Sequence, residues 1–156
     1  MPRESTVLLV DDDRDVVEGS SMRLRSAGYE TMAAYDGEEC VDRANEFQPV
    51  AIVLDVRMPR MDGLTALGEL QEGDSTKHIP VVMLSASLSD QRAALEAGAR
   101  FFLRKPYSGP MLIAAIKAAI EEAYINRADA GSAAGGHQPE IHIRWPSSPT
   151  DNSKQS

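Results

Sequence analysis

The sequence predicts an α/β fold in which a five-stranded parallel sheet, ordered 2-1-3-4-5, lies between two layers of helices, five in all. Three observations carry this. Short apolar runs alternate five times with segments of helical length and pattern. Most of the runs are continuous rather than alternating, as expected of parallel strands covered on both faces. Charged residues stand just past several of them, where the carboxyl ends of parallel strands share one rim of a sheet.

The first strand is Val7–Val10, followed at once by Asp11, Asp12 and Asp13. Asp13 is placed to accept main-chain N–H bonds at the start of a helix over Arg14–Ala27, which Gly28 ends. Glu30–Ala34 is a weaker apolar run read as the second strand, and Gly37–Phe47 is the second helix. The third strand, Val50–Leu54, delivers Asp55; Met58-Pro59 then shapes a loop and Asp62-Gly63 a turn before a helix over Leu64–Glu72. Pro80–Leu84 is the fourth strand, with Ser85 at its end, and a helix over Asp90–Ala97 is closed by Gly98. Phe101–Leu103 is the fifth strand, just before Lys105-Pro106. Ser108 caps a last helix reaching about Tyr124, whose Ile113, Ile116, Ile120 and Tyr124 recur at helical spacing and are expected to face the sheet. A second stripe on that helix, Leu112, Ala115, Ala119 and Ala123, is read either as an interface for a dimer or a target or as ordinary burial at the helix flank.

The domain is thus expected over residues 5–126. Residues 127–156 turn to Ala, Gly, Ser and Pro and are expected to form a disordered tail, in which Ile141-His142-Ile143-Arg144-Trp145 alternates like a short strand. Twenty-four acidic against 16 basic residues leave a net charge of −8, which argues against binding the phosphate backbone of nucleic acid. The single cysteine, Cys40, excludes an internal disulfide and reads as a small apolar helix residue. No apolar stretch approaches the roughly 20 residues of a membrane span, and the start resembles no signal peptide, so a cytoplasmic protein without membrane contact is expected.

The chemistry lies in the rim. Carboxylates about 4 Å apart repel by roughly 4 kcal/mol per pair at an effective dielectric near 20, so Asp11, Asp12 and Asp55, if gathered, call for a cation. Hard carboxylate oxygens favour Mg²⁺, which takes a phosphate oxygen readily as a further ligand. Asp55, alone at its strand end, is the better nucleophile; the adjacent Asp11 and Asp12 are better placed to hold metal. Lys105 offers an ammonium to a phosphoryl oxygen, and Ser85 a hydroxyl. None of the three histidines, His78, His137 and His142, is positioned as a ligand cluster.

These residues resemble the receiver domain of two-component response regulators, a flavodoxin-like fold, across roughly Thr6 to Tyr124. The likeness rests on Asp55-Val-Arg-Met-Pro-Arg-Met-Asp-Gly63, with Leu8-Leu-Val-Asp-Asp12, Leu84-Ser-Ala86 and Leu103-Arg-Lys-Pro106 in the family's order and approximate spacing. The resemblance implies that Asp55 accepts a phosphoryl group from a sensor histidine kinase or a phosphotransfer protein, with Mg²⁺ held by Asp12, Asp55 and the backbone carbonyl of Arg57, and by Asp11 chiefly through water. Ser85 and Lys105 would hold the phosphoryl oxygens. Ser85 and Phe102 would switch on phosphorylation and remodel the face of helix four, strand five and helix five, which would serve a protein target or a weak homodimer. A cis peptide is implied at Lys105-Pro106, and Arg57 and Ser87 are implied to border the phosphoryl group. Here Phe102 lacks a hydroxyl, and Ser85 stands where threonine is commoner.

The leading expectation is a stand-alone regulator: a phosphoacceptor signalling protein rather than an enzyme, acting through protein contact because the tail is too short for an output domain. A phosphatase of the haloacid dehalogenase type is the alternative, since Asp11 and Asp13 stand two residues apart after a strand, but that family expects Thr or Val where Asp15 stands. A scaffold indifferent to phosphate would not need the acidic set.

Overall fold

The computed structural model describes residues 5–132, with only the backbone at 129–132. Its elements alternate as β1 (Thr6–Val10), α1 (Arg14–Ser26), β2 (Glu30–Ala34), α2 (Gly37–Phe47), β3 (Ala51–Asp55), α3 (Gly63–Glu72), β4 (Val81–Ser85), α4 (Asp90–Glu96), β5 (Phe101–Arg104) and α5 (Gly109–Ser132). All four strand pairings are parallel and the order is β2-β1-β3-β4-β5, as the alternation predicts. The tail expected from residue 127 is helical as far as Ser132, because α5 continues past Tyr124; the rest of that expectation, including Ile141–Trp145, lies outside the described residues.

Alternate side chains of the central strands leave the sheet on opposite faces, and each face builds its own core. On one, Leu8, Ile52, Leu54, Met83 and Phe102 pack with Cys40 and Ala44 of α2, Ala66, Leu67 and Leu70 of α3, and Ala94 of α4. On the other, Val7, Leu9, Val53, Val82, Phe101 and Leu103 pack with Val17 and Leu24 of α1 and Leu112, Ala115, Ile116 and Ala119 of α5. Each fully buried Leu, Ile, Val or Phe stabilises the fold by about 1.5–3 kcal/mol relative to leaving it in water. β2 is an edge strand and only partly covered, which accounts for its weaker apolar run.

The face of α5 differs from the expected one. Leu112, Ala115, Ile116 and Ala119 are the buried residues, Ile113 and Ile120 flank them, and Tyr124 is 75 % exposed. Of the two readings of the second stripe, burial holds, since Leu112, Ala115 and Ala119 are core. The helix lies over Phe101 and Leu103, and small alanines let its backbone approach those side chains where larger residues would hold it off.

Caps set the element ends. The Asp13 carboxylate accepts from the main-chain N–H of Asp15 at 3.0 Å, Asp36 from Glu39 at 2.8 Å, Asp62 from Thr65 at 2.8 Å, and the Ser108 hydroxyl from Met111 at 3.2 Å. Gly28 and Gly98 follow α1 and α4 with φ of 97° and 111°, a left-handed conformation that glycine adopts without cost. Lys105-Pro106 is cis.

Candidate functional site

Register brings the charged residues together. Val10 pairs with Leu54, so Asp11 and Asp55, each one residue further on, end side by side; Asp55 pairs with Leu84, so Ser85 ends β4 next to it. The Lys105 main-chain N–H donates to the Ser85 carbonyl at 2.8 Å, and this brings the end of β5 into the same corner. The carboxylates of Asp11, Asp12 and Asp55 lie within 4.8 Å of one another. Asp11 and Asp55 are buried, each 4 % exposed, whereas Asp12 opens to solvent.

Lys105 is the counter-charge. Its Nζ donates to Asp11 Oδ2 at 3.1 Å and lies 3.2 Å from Asp55 Oδ1. Burial pulls the Lys105 ammonium down, but the hydrogen bonds and charges of Asp11 and Asp55 outweigh it and hold it above its usual range. Burial and then the neighbouring Asp11 push the Asp55 carboxyl up to about 6, with Asp12 adding to the rise and Lys105 opposing it. Three carboxylates facing one ammonium make a site that lacks positive charge. Hard oxygens, two of them buried and one facing water, fit Mg²⁺ with part of its water shell retained.

The two buried acids differ in what their oxygens do. Asp11 Oδ1 accepts from the Asp13 main-chain N–H at 3.0 Å while Oδ2 is taken by Lys105. Asp55 engages Lys105 through Oδ1, and among the described residues nothing bonds its Oδ2. The loop behind Asp55 is packed against the strand. Gly63 N–H donates to the Val56 carbonyl at 2.8 Å, and a Cβ at residue 63 would stand 2.1 Å from the Asp55 carbonyl oxygen. Only glycine fits there, so the expected turn at Asp62-Gly63 both caps α3 and holds β3's end.

Arg57, Met58, Asp62 and Asp90 line an open pocket beside Asp12. The Arg57 side chain is largely exposed and makes a two-pronged ion pair with Asp90, Nε to Oδ2 at 3.3 Å and Nη2 to Oδ1 at 3.2 Å. The Ser85 hydroxyl is turned to Asp90 Oδ2 at 2.6 Å, and the Ser87 main-chain N–H donates to the Ser85 oxygen at 3.1 Å. Asp90 is thus a member of this cluster that sequence reasoning took only as a helix start. An acid in a first helical turn is ordinarily explained by the helix dipole, and nothing local shows that it turns inward. Phe102 is buried in the core beneath α4. His78 sits exposed between α3 and β4, lowered from its usual range first by burial and then by Arg127.

The family model of the response regulator receiver domain matches residues 7–117. The chain belongs to that family. Two regulators illustrate the likeness: transcriptional regulatory protein PrrA of Mycobacterium tuberculosis is 44 % identical over 114 residues, 72 % of this chain and 48 % of the relative, and response regulator MprA of Mycobacterium avium is 41 % identical over 115 residues, 72 % of this chain and 49 % of the relative. The chain therefore spans about half the length of the curated relatives it matches. Among solved structures, the receiver domain of Francisella response regulator 1452 superposes with a TM-score of 0.70 at 29 % identity, covering 76 % of this chain and 98 % of that one. The chemotaxis protein CheY4 of Vibrio cholerae does so with a TM-score of 0.69 at 29 % identity, covering 74 % and 98 %. The receiver has no helix among its described residues that is long and apolar enough to cross a membrane.

Proposed function

We propose that this receiver takes a phosphoryl group onto Asp55 from a phosphohistidine of a sensor kinase or phosphotransfer protein and signals through a phosphorylation-dependent protein-binding face. The observation that carries the reading is a buried Asp55 whose Oδ2 takes no bond from the described residues, flanked by two further carboxylates and with Lys105 Nζ 3.2 Å from its Oδ1. Asp55 attacks phosphorus as the carboxylate; the new P–O bond forms while the P–N bond breaks and its electron pair returns to the imidazole. Lys105, already held between Asp11 and Asp55, takes up charge that develops on the phosphoryl oxygens. The Ser85 hydroxyl at the end of β4 is a donor within reach of the same group once it rotates. Asp11, Asp12, Asp55 and the backbone carbonyl of Arg57 would hold Mg²⁺, whose chemistry there is to neutralise phosphoryl oxygens that Lys105 does not reach.

Asp11 is a poorer nucleophile because both of its oxygens are engaged, which disfavours the phosphatase alternative. The site performs its own phosphorylation and later hydrolysis and turns over no external substrate. The net charge of −8 supports a protein target over nucleic acid. The chain spans about half the length of PrrA, which is named a transcriptional regulatory protein, so output through a further domain is the second reading beside output through protein contact.

Acetyl phosphate with Mg²⁺ tests the assignment. A single phosphoryl adduct is expected by intact mass, absent in Asp55→Ala; an adduct that survives in Asp55→Ala but is lost in Asp11→Ala would overturn it.

A further inference from the structure

The Ser85 hydroxyl carries one proton, and that proton is already committed. It is donated to Asp90 Oδ2 at 2.6 Å, a short bond to a charged acceptor within a buried pair. Its oxygen in turn accepts from Ser87 N–H, so the hydroxyl is held from both sides. Asp90 is in turn fixed by the two prongs of Arg57, which stands on the loop leaving Asp55. The chain Ser85–Asp90–Arg57 therefore ties the end of β4, the start of α4 and the loop after β3 into one network on the rim of the acidic site.

We infer that Asp90 is a positioning residue that latches the unphosphorylated state, by competing with the phosphoryl group for the single proton of Ser85. The inference rests on the phosphoacceptor reading of Asp55. A hydroxyl that donates to Asp90 has nothing left to donate to a phosphoryl oxygen, so the two bonds exclude each other. Breaking the first leaves Asp90, a nearly buried carboxylate, with Arg57 as its partner, and that arrangement also draws on the first turn of α4. The latch thus disfavours the phosphorylated state and links Ser85 to the first turn of α4.

Beryllofluoride with Mg²⁺, a phosphoryl mimic, measures this penalty as an apparent affinity. Removing the competing acceptor in Asp90→Ala should tighten binding about tenfold, with Asp90→Asn, which keeps a weaker neutral acceptor, about threefold. In a Ser85→Ala background the gain from Asp90→Ala should shrink below about twofold, because there is no proton left to compete for. In the metal-free protein, the Ser87 amide resonance of Asp90→Ala should already move toward its position in the wild-type adduct. Unchanged or weaker binding in Asp90→Ala would overturn the latch, as would an equal gain in the Ser85→Ala background, which would mean that Asp90 acts only by its charge. If thermal melts show that Asp90→Ala is unfolded, Asp90→Asn decides, and no gain there overturns the latch. A wild-type protein that binds no beryllofluoride refutes the phosphoacceptor reading instead.

Discussion

The two halves of the sheet's carboxyl rim are built differently. On the β1–β3 side, α1, α2 and α3 each begin on an aspartate whose carboxylate accepts a main-chain N–H, and Gly63 packs its backbone directly onto that of Asp55. On the β4–β5 side, α4 has only seven residues, its N-cap Ser89 makes no side-chain cap bond, and Leu88 before it is 53 % exposed. Beyond the core packing of Ala94, what ties the start of α4 to the site is exchangeable: a hydroxyl proton and an Arg57 side chain that is 69 % exposed. The half that carries the carboxylates is over-determined by backbone contacts, while the half that carries the hydroxyl can rearrange by trading hydrogen bonds. A change of state is cheapest where few buried contacts must break.

Gly63→Ala attacks the rigid half. The added Cβ meets backbone rather than a pliable side chain, so β3's end and the loop must separate, at a cost of about 3 kcal/mol in urea denaturation. A loss below about 1 kcal/mol would show that this half yields as readily as the other.

The acid cluster gives the next largest effect. Asp55 holds its proton more tightly folded, to about 6, than at its ordinary 3.8. Its protonation therefore favours the folded state below about 4, and that contribution is lost as pH rises through about 6. In metal-free solution the wild type should gain stability relative to Asp55→Asn as pH falls from neutrality to about 4, read as the difference between their thermal melts. A difference that is flat or opposite in sign across that range would refute the strained-carboxylate picture. At neutral pH, Mg²⁺ at a hundred times its Kd should add about 2.7 kcal/mol to the wild type and far less to the variant.

Caps sharpen the contrast at the smallest scale. Asp62→Ala should cost about 1 kcal/mol and Ser89→Ala less than about 0.5 kcal/mol, both by chemical denaturation. Equal losses would erase the distinction between a fastened α3 and a loosely seated α4.

Much of this was legible in the chain. Continuous apolar runs betrayed strands covered on both faces, and Asp13, Ser108, Gly28 and Gly98 marked element ends through local chemistry, which acts over a few residues and does not wait for the fold. Asp11, Asp12, Asp55 and Lys105 were readable as one site because a parallel sheet leaves its strand ends little choice of rim. The face of α5 was misread for the opposite reason. Periodicity finds stripes but not which stripe wins, and the bulky Phe101 and Leu103 beneath it select the alanines over Ile113 and Tyr124.

By itself, then, the order of residues determined the alternation of elements, their caps and the convergence of four charged side chains, since each follows from short-range chemistry or from strand direction. Tertiary structure alone decided that Asp90 turns inward to accept the Ser85 hydrogen bond, that Arg57 closes on it from 33 residues away, and that among the described residues Asp55 rather than Asp11 keeps an oxygen unbonded. Those outcomes depend on which polar atoms are left to pair once the sheet and helices have packed, and no local pattern records that competition.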